Sequence, residues 1–196
     1  MGTLLDSFRD SFAALREPDV QQLGAGRREA LDALLADGLP GPREEAWKYT
    51  PLRALERRAF AAADAAPPAF DAALLAAIPA PRLVFANGRF DAAHSDLSGL
   101  AGGVSVEALS QVLAKGEPRD ANFLLRRYPR RDEPFARANA ALAEDGAVVR
   151  VDAGVHAGAP LHLVFVGVPQ AGDRAWHLRH FIELHNDARL DIIEHQ

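Results

Sequence analysis

The chain has 196 residues, 48% of them apolar and 25% charged, with 22 Lys and Arg against 27 Asp and Glu and no cysteine. That length and apolar share suit one ordinary domain or two small ones with a real core, and the charged fraction is that of a globular protein. The lack of Cys excludes disulfides, CxxC redox chemistry, zinc thiolates, a Cys nucleophile and Cys-ligated metal clusters held by this chain. A net charge of −5 argues against a duplex nucleic-acid surface, which needs a concentrated positive field. No apolar run reaches the roughly 20 residues of a membrane span. The opening MGTLLDSFRDSF sets acids among its first apolar residues and has no basic n-region, unlike a signal peptide. The expectation is a soluble, cytoplasmic chain with no nucleic-acid and no membrane partner.

The first third reads as helix. Leu4, Leu5, Phe8, Phe12 and Leu15 form one apolar stripe, and Pro18 stops that helix or opens a new one. A second pattern starts at Arg27, runs through Ala30, Leu31, Leu34 and Leu35, and stops at Gly38 and Pro40. Then LPGPREEAWKYTPL is too broken by proline for a long helix and too aromatic for a plain linker. Residues 54–81 are Ala-rich, hence helical by propensity, with Phe70, Leu74, Leu75 and Ile78 marking one short amphipathic helix between proline pairs. In RLVFANGRF the pair Asn87-Gly88 predicts a type I′ hairpin. Residues 104–114 read as a short helix with Ser105 as N-cap, and 134–144 as another, ended by Asp145-Gly146. From Ala147 the reading is strand: AVVRVDAG, PLHLVFVGV, AWHLRHFIELH and ARLDIIEHQ. In the third run Trp176, Leu178, His180, Ile182 and Leu184 share one side, and the chain ends within the last strand, leaving an open sheet edge.

Several residue groups invite a chemical reading and each has a plainer one. His177, His180, His185 and His195 crowd together, but His177 and His180 point to opposite faces of a continuous strand. His177 and His185 share a face yet lie roughly 26 Å apart at about 3.3 Å per residue. Only cross-strand partners such as His162 or His195 could complete a metal site, and solvated or hydrogen-bonded strand histidines are the favoured reading. His94-Ser95-Asp96 holds the three residue types of a hydrolase triad, but consecutive residues cannot form the nucleophile–base–orienter chain, so a Ser/Asp turn is expected. Gly24-Ala25-Gly26 has Glu29 at the third glycine position of a dinucleotide loop and follows no strand. Arg126, Arg127, Arg130 and Arg131 around Tyr128 make one basic patch, RRYPRR; with Asp132 and Glu133 following, a solvated loop with local ion pairs is preferred, and a docking patch for an acidic partner or single-stranded nucleic acid is the alternative. Trp47 and Tyr49 are expected to anchor their loop to the core by apolar area. No residue set qualifies as a catalytic, cofactor-binding or metal site.

Four blocks carry a family resemblance. They are Leu39-Pro40, Arg43-Glu44 and Trp47-Lys48-Tyr49-Thr50-Pro51-Leu52; RLVFANGRF with Ser95-Asp96-Leu97; Pro134-Phe135, Ala138-Asn139, Ala141-Leu142 and Asp145-Gly146; and Pro160-Leu161 with Ile193-Glu194-His195. In this order they resemble signature blocks of the SufB/SufD family of SUF iron–sulfur cluster assembly, in the SufD-like form. The resemblance implies an α+β fold: an N-terminal helical region followed by the start of a right-handed parallel β-helix (a β-solenoid). It implies an N-terminal helical region over 1–81 carrying the structural signature Trp47, Lys48, Tyr49, Thr50 and Pro51, a mixed connecting region over 82–146, and the first β-helix strands over 147–196. It further implies a non-catalytic scaffold working with a SufB-like paralogue and a SufC-like ATPase. This chain would hold no cofactor, the cluster being handled by the full complex. Members run to roughly twice this length, so the chain is expected to be an N-terminal portion, with the main partner-contact regions outside it. The alternative is a stand-alone interaction module using an open β-edge.

Overall fold

The computed structural model describes residues 3–15, 23–116, 122–128 and 130–196; Pro18, and the proline within RRYPRR, lie outside the described residues. In chain order the helices are α1 (Leu4–Ala14), α2 (Leu23–Asp37), α3 (Arg53–Glu56), α4 (Leu109–Lys115) and α5 (Pro134–Leu142), with 3₁₀ turns at Glu45–Trp47, Ala72–Leu75 and Asn122–Leu125. The strands are β1 (Ala61–Ala62), β2 (Arg82–Ala86), β3 (Arg89–Phe90), β4 (Val104–Ala108), β5 (Ala147–Val151), β6 (Leu161–Val166), β7 (Arg174–Ala175), β8 (Phe181–Leu184) and β9 (Ile192–His195). The chain divides into two units. One gathers Met1–Ala62, Leu113–Ala143 and Gln170–His177; the other gathers Ala63–Val112, Glu144–Pro169 and Leu178–Gln196.

The first unit is helical. Thr3 and Asp6 close a capping box on α1: the Thr3 hydroxyl accepts the Asp6 N–H at 3.2 Å and the Asp6 carboxylate accepts the Thr3 N–H at 2.9 Å. Behind this cap the predicted stripe packs with Leu31 and Leu34 of α2 and with Ala138, Ala141 and Leu142 of α5. Burial of Leu4 and Phe8 stabilises the unit by about 2 kcal/mol each. α2 starts ahead of the predicted Arg27 and ends where the Gly38 N–H donates to the Leu34 carbonyl at 2.8 Å. Two buried arginines lock α2 to α5. Arg27 donates to the Ala141 and Ala143 carbonyls at the end of α5, at 3.5 and 2.5 Å. Arg137 of α5 donates to the Ala33 carbonyl at 3.2 Å and to the Asp37 carboxylate at 2.6 Å, at the end of α2. Arg27 thus reaches carbonyls at the end of α5 that lack intrahelical donors, and Arg137 ties the last turn of α2 to α5.

The second unit is built on two sheets, of order β3-β2-β6-β9 and β4-β5-β8. Alternate residues of both sheets meet in one core of Leu83, Phe85, Leu161 and Leu163 with Val106, Val149 and Val151. On the reverse face of the larger sheet, Val84 and Val164 are covered by Leu75. The β2–β3 hairpin turns at Asn87 and Gly88, both with positive φ (45° and 75°), as the type I′ reading requires.

Four expectations need correction. The sheets are not a β-solenoid: β2–β6, β6–β9 and β5–β8 are parallel, but β3 joins β2 and β4 joins β5 antiparallel, and among the described residues no sheet closes or winds as a coil. The physical cause is the chain reversal that Asn87-Gly88 forces after β2, and the antiparallel ladder that fixes β4. The segment from Val104 is not all helix. VSVEA alternates β-branched and polar residues and pairs along its length with β5, Ser105 opposite Arg150, so only Leu109 onward is helical. The Ala-rich stretch does not form a helix beyond short turns; between the prolines only Ala72–Leu75 turns, capped by the Asp71 carboxylate on the Ala73 N–H at 2.9 Å. Propensity without apolar area does not overcome the cost of nucleation in so short a window. Lastly, Trp176–His180 interrupts the predicted third strand; Ile182 and Leu184 do lie in register with core residues Val149 and Val151, yet are 44% and 45% exposed because β8 is an edge strand.

Candidate functional site

The signature segment Trp47–Pro51 forms a compact turn ahead of α3, with the Thr50 N–H on the Trp47 carbonyl at 3.0 Å. Its two aromatics part company. Trp47 is half-buried, its ring 5.7 Å from that of Phe135 and its indole N–H donating to the Asp132 carbonyl at 2.9 Å. Tyr49 is 85% exposed, so the expectation that both rings anchor the loop holds for Trp47 and fails for Tyr49. Lys48 lies over the Tyr49 ring at 5.3 Å. Lys48, Thr50 and Pro51 are exposed, and the next residue, Leu52, is buried.

The basic segment meets the signature from the other side. Arg130 binds the Asp132 carboxylate through two hydrogen bonds at 2.9 and 2.6 Å, which hold that carboxyl below the usual carboxylate range. Arg127 pairs with Glu29 at 3.0 Å, and Arg131 lies 3.9 Å from Glu44. Arg126 stacks over Tyr128 at 5.6 Å. The local ion pairs expected of RRYPRR are therefore present. Beside them a cavity of about 640 Å³ opens between Ala25, Ala30 and Ala33 of α2 and Ala140 of α5, rimmed by Arg126 and Arg127. Gly24-Ala25-Gly26 is the first turn of α2, not a phosphate loop.

His94-Ser95-Asp96 is a turn. The His94 Nδ1 is 2.8 Å from the Asp91 carboxylate, the Ser95 hydroxyl donates to the Asp91 carbonyl at 2.7 Å and accepts the Val84 N–H at 2.9 Å, and the Asp96 carboxylate accepts the Ser98 N–H. Ser95 is thus committed to the backbone, and the three side chains form no relay.

The histidines separate. His177 lies edge-on to Phe8, with ring centroids 5.9 Å apart, in the helical unit; His185 is exposed. His180 accepts the Ala147 N–H on Nδ1 at 2.9 Å and sits against Phe85 and Phe165; burial lowers its pKa, against the opposing pull of Glu194 and Asp145. His162 and His195, expected only as partners for the other histidines, meet each other: His162 Nδ1 and His195 Nε2 are 2.8 Å apart. Among the described residues no group of three or more His, Asp or Glu side chains is placed to hold a metal ion.

One polar centre escapes the sequence reading. Asp145 is buried, and its carboxylate accepts the N–H groups of Phe90 at 2.8 Å, Gly146 at 2.9 Å and Ser110 at 3.3 Å, tying the hairpin and α4 to β5. Burial raises its pKa, the three N–H groups opposing. Gly146 beside it has φ 146°, and a Cβ there would overlap the Arg179 carbonyl. An Asp-Gly pair reads as a helix stop in any sequence; only pairing of β5 with its neighbours makes it a buried junction.

Residues 2–163 match the family model of the SufBD protein N-terminal region, and the chain belongs to that family. It is 29% identical over 171 residues to an iron–sulfur cluster assembly SufBD family protein of Synechocystis sp., covering 86% of this chain and 38% of that protein. It is 32% identical over 184 residues to the iron–sulfur cluster assembly protein SufD of Escherichia coli K12, covering 92% of this chain and 39% of that protein. The chain therefore spans about two fifths of the length of these curated relatives. No helix among the described residues is long and apolar enough to cross a membrane.

Proposed function

We propose that this chain serves iron–sulfur cluster assembly as the N-terminal region of a SufD-like scaffold, working in the cytoplasm with a SufB-like paralogue and a SufC-like ATPase and performing no catalysis itself. The observation that carries this reading is the family match over residues 2–163, which takes in α1 to α5 and reaches into β6. The cluster is cargo on this reading, and a chain without cysteine leaves thiolate ligation to other parts of the assembly. Trp47–Pro51 acts as a structural tie, Trp47 holding the loop to the residues around Asp132 and Phe135. The test replaces the matching N-terminal region of the E. coli SufD protein with this chain. The chimera is then assayed for co-purification with SufB and SufC and for cluster content by visible absorption. Retention of both supports the reading; a folded chimera that loses both overturns it.

A second reading, a self-associating module, is favoured by one observation: β8 and β9 are edge strands that leave Ile182, Leu184 and Ile193 exposed at 42–45%. It requires a discrete dimer in sedimentation that Ile182→Lys dissociates, and a monomer at all concentrations eliminates it.

A further inference from the structure

The cross-strand histidine pair has no part in the scaffold reading. β6 and β9 run parallel with His162 in register with Ile193 and Val164 with His195, so the two histidines stand diagonally on one face of the sheet. Diagonal positions lie about 7 Å apart, a separation that ring side chains can still bridge. Here the rings converge until His162 Nδ1 and His195 Nε2 are 2.8 Å apart, tilted 32° to one another. His162 is buried and His195 half-buried, so the pair opens to solvent from the His195 side.

We propose that His162 and His195 form a two-histidine chelate for a first-row divalent transition ion of the zinc class, completed by water. Metal–imidazole bonds of about 2.0–2.1 Å at a tetrahedral angle need nitrogens about 3.3 Å apart. The pair reaches that geometry when the nitrogens separate by roughly half an ångström and each ring turns by about 35°, so that both lone pairs leave the N···N line for a shared metal position, most of the movement falling to the half-buried His195. In the apo pair one ring donates its N–H to the other. On binding, that ring moves its proton to its second nitrogen through water, so both facing nitrogens present lone pairs and no net proton is released from the neutral pair. On the neighbouring strand Arg82, in register with His162, is directed elsewhere: its guanidinium donates to the carbonyls of Ile78 at 2.8 Å and His94 at 3.1 Å. With neutral imidazole as the only protein ligand the site selects borderline ions and rejects magnesium and calcium, which require oxygen.

The test uses the whole chain without an affinity tag. Zinc is titrated calorimetrically, with Co²⁺ as an optical probe of the coordination shell. The expected result is one equivalent per chain, unaffected by excess Mg²⁺ or Ca²⁺, with affinity at least tenfold weaker in His195→Ala and unchanged in His185→Ala, which removes an exposed histidine outside the pair. His162→Gln should weaken binding likewise; His195→Ala changes the more exposed partner, so it decides the matter if the buried variant does not fold. Absence of saturable zinc uptake, equal uptake by folded His195→Ala, or loss of uptake in His185→Ala overturns the proposal.

Discussion

The indole N–H of Trp47 donates to the backbone carbonyl of Asp132 at 2.9 Å, across 85 residues of chain. The carboxylate of the same Asp132 is held by Arg130. Two features separate in the sequence, the aromatic signature and the basic segment, are thus halves of one local structure. Trp47→Phe keeps a ring against Phe135 and loses the donor, so it should destabilise by about 1 kcal/mol. Trp47→Ala loses the ring as well and should cost about 2–3 kcal/mol. Tyr49→Ala, at an exposed position, should stay within about 0.5 kcal/mol of wild type. Urea midpoints of the three variants check this order; equal losses at positions 47 and 49 contradict it.

Among the described residues Arg137 and Asp37 form the best-shielded ion pair of the helical unit, the guanidinium only 5% exposed and 2.6 Å from the carboxylate. Arg137→Ala removes a buried donor shared by the part-exposed Asp37 carboxylate and the Ala33 and Tyr128 carbonyls, so a loss of about 2 kcal/mol is expected. Arg137→Met fills the same volume without the donors and should recover less than half of it. Arg27→Ala should destabilise by a similar amount through the end of α5. Denaturation curves with unchanged slope are the measurement.

Asp145 makes the strand unit depend on a buried carboxylate. Asp145→Ala leaves the N–H groups of Phe90, Ser110 and Gly146 without their acceptor, a cost of about 3 kcal/mol after relief of the desolvated charge. Asp145→Asn keeps one acceptor oxygen but turns an NH₂ toward a neighbouring N–H, and should fall between. Gly146→Ala should be worse than either, because the obstacle is the Arg179 backbone. Hydrogen exchange at the Phe90 amide reports the loss directly, and an unchanged rate in Asp145→Ala contradicts the assignment.

Much of this architecture is legible in the residues where local rules and tertiary needs agree. The stripe of α1, the Asn87-Gly88 turn and the runs of β5, β6 and β9 each carry enough apolar periodicity or turn chemistry to fix their state. VSVEA fails because its alternation is short and adjoins ALSQVLA, a good helix; its pairing with β5 decides, and that partner lies far along the chain. The Ala-rich segment fails for the reverse reason, strong propensity with little to bury. At the candidate site, the opposite-face argument for His177 and His180 assumes a continuous strand that Trp176–His180 interrupts, and the sequence offers His162 or His195 only as partners for that cluster; their pairing with each other comes from the β6–β9 register. Asp145 was hidden because it becomes a junction only when the Phe90 and Ser110 amides, far along the chain, join that of Gly146 on its carboxylate.

His180 gives the strand unit a pH dependence of defined sign. Its Nδ1 accepts the Ala147 N–H, which an imidazolium cannot do, and burial among Phe85 and Phe165 disfavours the charge further, so its folded pKa lies below the unfolded value. Between those two values the unfolded chain binds more protons than the folded one. Stability is therefore fully present above about pH 6.5 and is lost as pH falls from there through the folded pKa. His162 is shifted the same way by burial and by His195, while Asp145, raised by burial, works in the opposite sense as it takes up its proton. His180→Asn offers a carbonyl oxygen to the Ala147 N–H without a titrating ring. It should lower the urea midpoint at pH 8, where the native ring is neutral, and lower it less at pH 5.5. A wild-type-minus-variant difference that stays constant from pH 8 to 5.5 would show that the ring titrates alike in both states, against the buried acceptor role assigned to it.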